Sequence, residues 1–348
     1  MTGKRSRGEK VRRFILQNVA SNSGDIAKVA AERFGVTRQA INKHLQRLVA
    51  ERALEESGQT RSRAYRLATL SEWTKEYPTG PGLAEDPAWR EDVHPALGNL
   101  PDNATRIWQH GFTEIFNNAL DHADARHIVV SIEKTAVDTT LSIADDGIGI
   151  FRKIQDELGL LDERHAVLEL SKGKLTTDPA KHSGEGIFFT TRMFEIFSIR
   201  SGDVCLTHRA GFKQDYTLET EESTKGTAVT MALNNRTSRT TKKVFDQFTD
   251  VEEYTFSKTV VPVELARYGD ENLVSRSQAK RLLARVEKFR TVMLDFKDVP
   301  AIGQAFADEI FRVFEDQHPE TRLVPINHSE EIGRMIRRAR AGARERPT

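Results

Sequence analysis

The sequence predicts an α/β multidomain chain in three parts, and three patterns carry that expectation. A basic first segment reads as helices closed by a hairpin, a middle segment sets adjacent strands between helices, and a final segment alternates strand and helix. At 348 residues the chain is too long for one small core. The formal net charge is +1, yet residues 1–70 hold 15 Lys and Arg against six Asp and Glu, so the near-neutral total hides a basic start. No apolar run approaches the roughly 20 residues of a membrane-spanning helix, and "MTGKRSRGEK" lacks the apolar core of a secretory signal. We therefore expect a cytoplasmic protein with no membrane partner. The single cysteine, Cys205, excludes an internal disulfide and a cysteine-rich metal cluster, and reads as a small apolar residue in a strand.

In the first segment, residues 1–70, "EKVRRFILQNVA" and "DIAKVAAERF" read as two helices, Gly35 as a turn, and "TRQAINKHLQRLVAER" as a third helix with Thr37 as N-cap. "LEESGQTRSRAYRLA" then reads as two short strands around a polar, basic tip. The segment resembles a winged helix-turn-helix, which implies a third helix in the major groove of double-stranded DNA. Gln39, Asn42, Lys43 and Gln46 would meet bases or phosphates, and Arg38, Arg61 and Arg63 would add phosphate contacts. The alternative is a winged helix used only for protein contacts.

Residues 71–105 contain Pro78, Pro81, Pro87, Pro95 and Pro101 and read as a Pro/Gly-rich linker with one short helix. From 106 to 237 we expect a helix, strands "HIVVSIEK" and "TTLSIADD", an irregular stretch, a helix opened by "SGEGIFFTTRMF", and strands near 196–200, 204–208, 213–219 and 227–233. A connector is expected over 238–255. Residues 256–348 then read as strand, helix, strand, helix, strand, helix, ending in an Arg-rich tail.

The chemistry concentrates in the middle segment. "TEIFNNALDHA" is amphipathic at 100° per residue: Glu114, Asn117, Asn118, Asp121 and His122 share one side, opposite Phe112, Ile115, Phe116, Ala119, Leu120 and Ala123. A merely solvated face mixes both signs of charge, and this one holds no Lys or Arg. "SIADDGIGI" follows as a strand running into Asp145-x-Gly147-x-Gly149. "HSGEGIFF" carries Gly184-x-Gly186 into a helix, and "KGTAVTMAL" starts a strand with Gly226-Thr227. Taken in this order, the set resembles the GHKL ATPase superfamily, the fold of gyrase, heat-shock chaperones, histidine kinases and mismatch-repair proteins.

That resemblance implies ATP and Mg²⁺ as cofactors. Asn118 would be the metal ligand, because Mg²⁺ takes oxygen donors. Glu114 matches the carboxylate that accepts a proton from the water attacking the γ-phosphate. Asp145 matches the acceptor for the adenine amine, which selects ATP over GTP. Gly147 and Gly149 would let backbone approach the ligand, Gly184 and Gly186 would turn backbone N–H groups toward phosphate, and Thr227 matches a hydroxyl near the base. Glu185 departs from what phosphate binding favours, since a carboxylate there repels phosphate unless it points outward. Residues 151–183 would form a lid in which Lys172, Lys174 and Lys181 are candidates for the γ-phosphate, with Lys174 carried forward as the ATP ligand.

Residues 256–348 resemble a STAS-type domain, the fold of anti-anti-sigma factors. Where such factors carry a phosphorylated serine, "LDFKDVPAIGQAFADEIF" has Ala301, Gly303 and Gln304, and Ser275 and Ser277 read as caps of the preceding helix. Together these readings predict a bacterial transcription regulator in which Mg-ATP binding or hydrolysis switches binding to DNA or to a regulatory protein partner, as a homodimer on paired half-sites. Two alternatives stand beside it: an anti-sigma-type protein Ser/Thr kinase acting on a partner protein, and an ATP-binding module that does not turn over.

Overall fold

The computed structural model describes residues 2–59, 62–175, 184–210, 215–250, 255–267 and 271–344. Helices α1 (Thr2–Asn18), α2 (Ile26–Phe34) and α3 (Arg38–Ala50) precede an antiparallel hairpin of β1 (Leu54–Ser57) and β2 (Ala64–Leu67). Gly35 ends α2 in the left-handed conformation, and the Thr37 hydroxyl caps α3 by accepting from Ala40 N at 3.2 Å. Ile15, Ile26, Ile41, Leu45 and Leu54 close a core of their own, separate from the rest of the chain.

Residues 71–105 differ from the expected linker. Strand β3 (Ser71–Pro78) pairs antiparallel with β4 (His127–Lys134) along its whole length, from Ser71↔Lys134 to Pro78↔His127. The Pro and Gly residues that suggested a linker lie from 78 onward, so Ser71–Tyr77 keep every ladder N–H, and Pro78 falls at the end of an edge strand. A helical stretch, α4, covers 85–97 and buries Trp89, Val93 and Leu97 at helical spacing. Trp89 packs against Phe112 of α5 (Asp102–His122), with ring centroids 5.8 Å apart.

The middle unit is one antiparallel sheet in the order β3-β4-β5-β7-β6, with β5 (Asp138–Asp145), β6 (Ile196–Arg209) and β7 (Asp215–Asn234). The four short strands expected over 196–233 are two long ones. Register shifts at Ser201/Gly202 and Gly202/Val204 bend the ladder without ending it. Alternation along β4 and β5 turns Ile128, Val130, Ile132, Leu141 and Ile143 inward, toward the apolar face of α5. Helices α6 (Ile150–Leu158), α7 (Glu163–Lys172) and α8 (Gly186–Met193) complete that layer. Cys205 is buried in β6.

The expected connector 238–255 contains helix α9 (Thr241–Phe248). Beyond it, β8 (Lys258–Pro262), β9 (Thr291–Asp295) and β10 (Arg322–Ile326) form a parallel sheet in the order β10-β9-β8. Helices α10 (Arg276–Leu283) and α11 (304–317) make the crossovers, and α12 (Glu330–Arg344) follows β10. Helix α10 stops at Leu283, and Arg285 takes a left-handed φ of 64°. The Arg-rich end is not wholly solvated, because Ile332, Ile336 and Ala339 of α12 are buried.

The middle and C-terminal units share one continuous core. Phe188 and Phe189 of α8 meet Phe256 at 4.6 and 4.9 Å, and Phe256 meets Phe289 edge-on at 5.1 Å. Burying an aromatic side chain of this size stabilises by about 2 kcal/mol, so the seam is a fixed interface and not a flexible tether. Among the described residues, no helix is long and apolar enough to cross a membrane.

Candidate nucleotide-binding site

A cavity of about 320 Å³ opens between α5, the end of β5, α6 and the start of α8. Three residues of the polar face of α5 line it: Glu114, Asn118 and His122. Successive steps of four residues keep them on one stripe of the helix. Asn117 and Asp121, one residue earlier in each turn, fall outside the lining, and Asp121 is exposed. Phe112 and Phe116 are buried in the core, and Ile115 and Ala119 are buried at the edge of the cavity, which fixes the rotation of α5 and hence the direction of its stripe.

Asp145 lies at the other side of the cavity, where β5 ends. Its Oδ1 accepts from Gly147 N at 2.9 Å and from Thr227 N at 3.2 Å, so two backbone donors fix the plane of the carboxylate. Burial raises its pKa above the ordinary aspartate value, and the bonds from Gly147 and Thr227 oppose that rise. The neighbouring Asp146 points away from the cavity. It accepts from Arg126 N and His127 N, and these bonds pull its pKa down to about 2. Thr227 Oγ1 accepts from Ile150 N at 3.0 Å and so ties the first residue of α6 to β7.

The glycines have distinct tasks. Gly147, expected to make room for ligand, is outside the lining; a β-carbon there would strike the carbonyl of Ala123, onto which the loop closes through Ile148 N at 2.9 Å. Gly149, Gly184 and Gly186 do line the cavity. A β-carbon on Gly186 would collide with Glu114 Oε2, so the absence of a side chain there lets the carboxylate of α5 reach the first turn of α8. Glu185 does not line the cavity. Burial raises its pKa, and the charge that opposes the rise is Lys174.

Lysine placement departs most from the sequence reading. Lys153 lines the cavity and was not anticipated; its Nζ donates to the His122 carbonyl at 2.8 Å. Helical spacing was the available signal, since Ile150, Lys153 and Ile154 share one face of α6 and all three line the cavity. Lys174 faces the C-terminal unit instead, donating to the Lys288 carbonyl at 2.9 Å and lying 4.8 Å from the centre of the Phe289 ring. Lys172 is also turned to that side and is only 1% exposed, with burial lowering its pKa and Glu169 opposing the shift. Lys181, with residues 176–183 of the expected lid, lies outside the described residues.

In the first unit, Arg38, Gln39, Asn42, Lys43 and Gln46 are all exposed on α3, opposite buried Ile41, Leu45 and Leu48. Arg63 is exposed at the hairpin, 3.8 Å from Glu56 at the surface, and Arg61 lies outside the described residues. In the C-terminal unit Ser275 caps α10, with its Oγ accepting from Gln278 N at 3.2 Å in a capping box.

Residues 102–237 match the family model described as histidine kinase-, DNA gyrase B-, and HSP90-like ATPase, which supports the GHKL-type reading of the middle unit. Residues 278–332, which include β9, β10 and α11, match the model of a STAS-like domain of unknown function. Among curated proteins there is no match. The chain is thus a mixed α/β multidomain protein, consistent with a GHKL-type domain followed by a STAS-like domain, and ATP is the ligand that the first match supports.

Proposed function

We propose that this protein is an ATP-dependent, DNA-binding regulator in which Mg-ATP binding or hydrolysis in the GHKL domain changes how the flanking units engage DNA or a protein partner. One observation carries the reading: Glu114, Asn118, Asp145, Gly149, Gly184, Gly186 and Thr227 surround a single cavity inside the ATPase domain. In this reading Asp145 accepts from the adenine amine and the Thr227 hydroxyl lies beside the base. The first turn of α8, at Gly184 and Gly186, presents its unpaired N–H groups to phosphate oxygens. Asn118 suits Mg²⁺ because its amide supplies a hard oxygen donor inside the cavity, one turn from Glu114. When bound, the metal would neutralise phosphate charge. Glu114 holds the proton of an attacking water. Phosphorylation of the chain's own STAS-like domain is not part of this reading, since Gly303 and Gln304 stand at the start of α11 in place of a hydroxyl residue.

Isothermal calorimetry of the full chain with Mg²⁺ and adenylyl imidodiphosphate tests this directly. A saturable heat at micromolar nucleotide is expected, and none up to millimolar nucleotide would sink the reading. Labelled ATP then separates the chemistries: label released as free phosphate indicates hydrolysis, label retained on protein indicates a kinase.

The first unit is proposed to be a winged helix-turn-helix, with the exposed face of α3 in the major groove and Arg61 and Arg63 at the wing. Its basic balance and the three-helix-plus-hairpin order support that reading. Four or more neutralised phosphates predict that log affinity for duplex DNA falls against log salt with a slope of about −3.6 or steeper. A fluorescence-anisotropy titration with a flat salt response would remove DNA as the partner. Dimerisation on paired half-sites belongs to the same proposal.

A further inference from the structure

A buried ionic cluster crosses the seam between α7 and the STAS-like domain, and the nucleotide reading does not use it. Lys172 Nζ donates to Glu169 Oε1 at 2.6 Å and to the carbonyls of Arg281 and Ala284 at 3.0 and 2.9 Å. Glu169, 3% exposed, accepts through its other oxygen from Arg285 Nη1 at 3.0 Å. The second nitrogen of Arg285 reaches farther and donates to the Lys174 carbonyl at 2.8 Å. The next residue, Leu175, donates its N–H to the Gly184 carbonyl at 3.1 Å, and Leu175 and Gly184 both line the cavity beside Gly186. Two hydrogen bonds, linked through the Lys174–Leu175 peptide, therefore join the STAS-like domain to the cavity wall.

Two features show that this path is built in. Arg285 holds a left-handed φ of 64°, a conformation that a residue with a β-carbon rarely adopts, where the helix before it has broken. A planar guanidinium also offers two donors at a fixed angle, one for a carboxylate and one for a carbonyl, which a lysine ammonium on a flexible stem does not reproduce.

We propose that Arg285, carried by the STAS-like domain, is a positioning residue for the nucleotide cavity: it fixes the Lys174 carbonyl and, through Leu175 and Gly184, the wall next to Gly186. The inference rests on the nucleotide reading above. That wall faces the phosphate end, whereas Asp145 and Thr227 stand at the base end, so the effect of Arg285 depends on the ligand's phosphates. A side chain that merely staples two domains together would show no such dependence.

Arg285→Gly removes the guanidinium while keeping the left-handed backbone favourable, and Arg285→Lys keeps the charge without the fork. Calorimetry of the full chain with Mg²⁺ and adenylyl imidodiphosphate is compared with ligand-observed NMR titration of adenosine, which registers millimolar binding. Arg285→Gly is expected to weaken the triphosphate analogue about tenfold, the loss of one charge-assisted hydrogen bond, and to leave adenosine within about twofold, inside the scatter of a silent substitution. Arg285→Lys is expected to weaken the analogue severalfold with adenosine unchanged, and it decides the matter should the glycine variant not fold. Unchanged triphosphate affinity, or equal weakening of both ligands, overturns the role of Arg285. A wild-type chain that binds neither ligand overturns the nucleotide reading itself.

Discussion

Asparagine in place of Asp145 is expected to lower ATP affinity by about a hundredfold and to raise GTP affinity relative to it. Oδ1 of Asp145 already accepts from Gly147 N and Thr227 N. The substituted amide must keep its oxygen on those two donors, because turning its NH₂ toward them would set donor against donor at two buried positions. Its NH₂ then occupies the other carboxylate position and meets the adenine amine, again donor against donor. Losing a bond to a charged acceptor and leaving a buried donor unsatisfied together cost about 3 kcal/mol, equivalent to a hundredfold. A guanine carbonyl can accept from the same NH₂, so GTP gains relative to ATP. Titrating non-hydrolysable ATP and GTP analogues into Asp145→Asn checks both halves, and unchanged ATP affinity would refute the adenine assignment. In the wild type, burial holds the Asp145 pKa above the usual aspartate value. Acid therefore protonates this acceptor, and weakens ATP binding, at a higher pH than for an exposed aspartate.

Alanine in place of Glu114 is expected to remove turnover while leaving ATP binding within a few-fold of wild type. A positioned general base contributes about 10²–10⁴ in rate, and a thousandfold loss corresponds to about 4 kcal/mol of barrier. The carboxylate sits against the first turn of α8, at the point where Gly186 lacks a side chain. A nucleotide phosphate held by that turn would lie within its reach. In the proposed mode binding would draw on other groups, Asp145 at the base and the α8 backbone at the phosphates, so affinity and rate are expected to separate in this variant. Phosphate release measured beside calorimetry gives both numbers, and a loss of binding equal to the loss of rate would show that Glu114 holds the nucleotide instead of acting on it.

Local periodicity and turn chemistry made much of this protein legible. Helix α5 was readable because its apolar side chains, Ala104, Ile107, Trp108, Phe112, Ile115, Phe116 and Ala119, recur at 3.6-residue spacing, and the polar stripe is their complement. The cap at Thr37, the left-handed Gly35 and the inward alternation of β4 and β5 follow from local rules of the same kind. Strand β3 was hidden, since the Pro and Gly residues that follow it dominate any reading of 71–105 and its pairing with β4 spans a long loop in sequence. Lys172 and Lys174 were unreadable for a different reason. A long flexible side chain carries no mark of which neighbour it will meet, and their partners at 281, 284 and 288 lie over a hundred residues away.

The sequence by itself determined which residues could act: the acidic and amide stripe of α5, the aspartate and glycines after β5, and the basic face of α3, because each is fixed by spacing within one element. Only the tertiary structure decided that Glu114, Asn118 and His122 face the cavity while Asn117 and Asp121 do not, and that Lys153 lines it in place of Lys172 and Lys174. The packing of α8 aromatics onto Phe256 and Phe289 brings the STAS-like domain against the cavity wall, and such contacts depend on chain segments meeting in space, which no local pattern encodes.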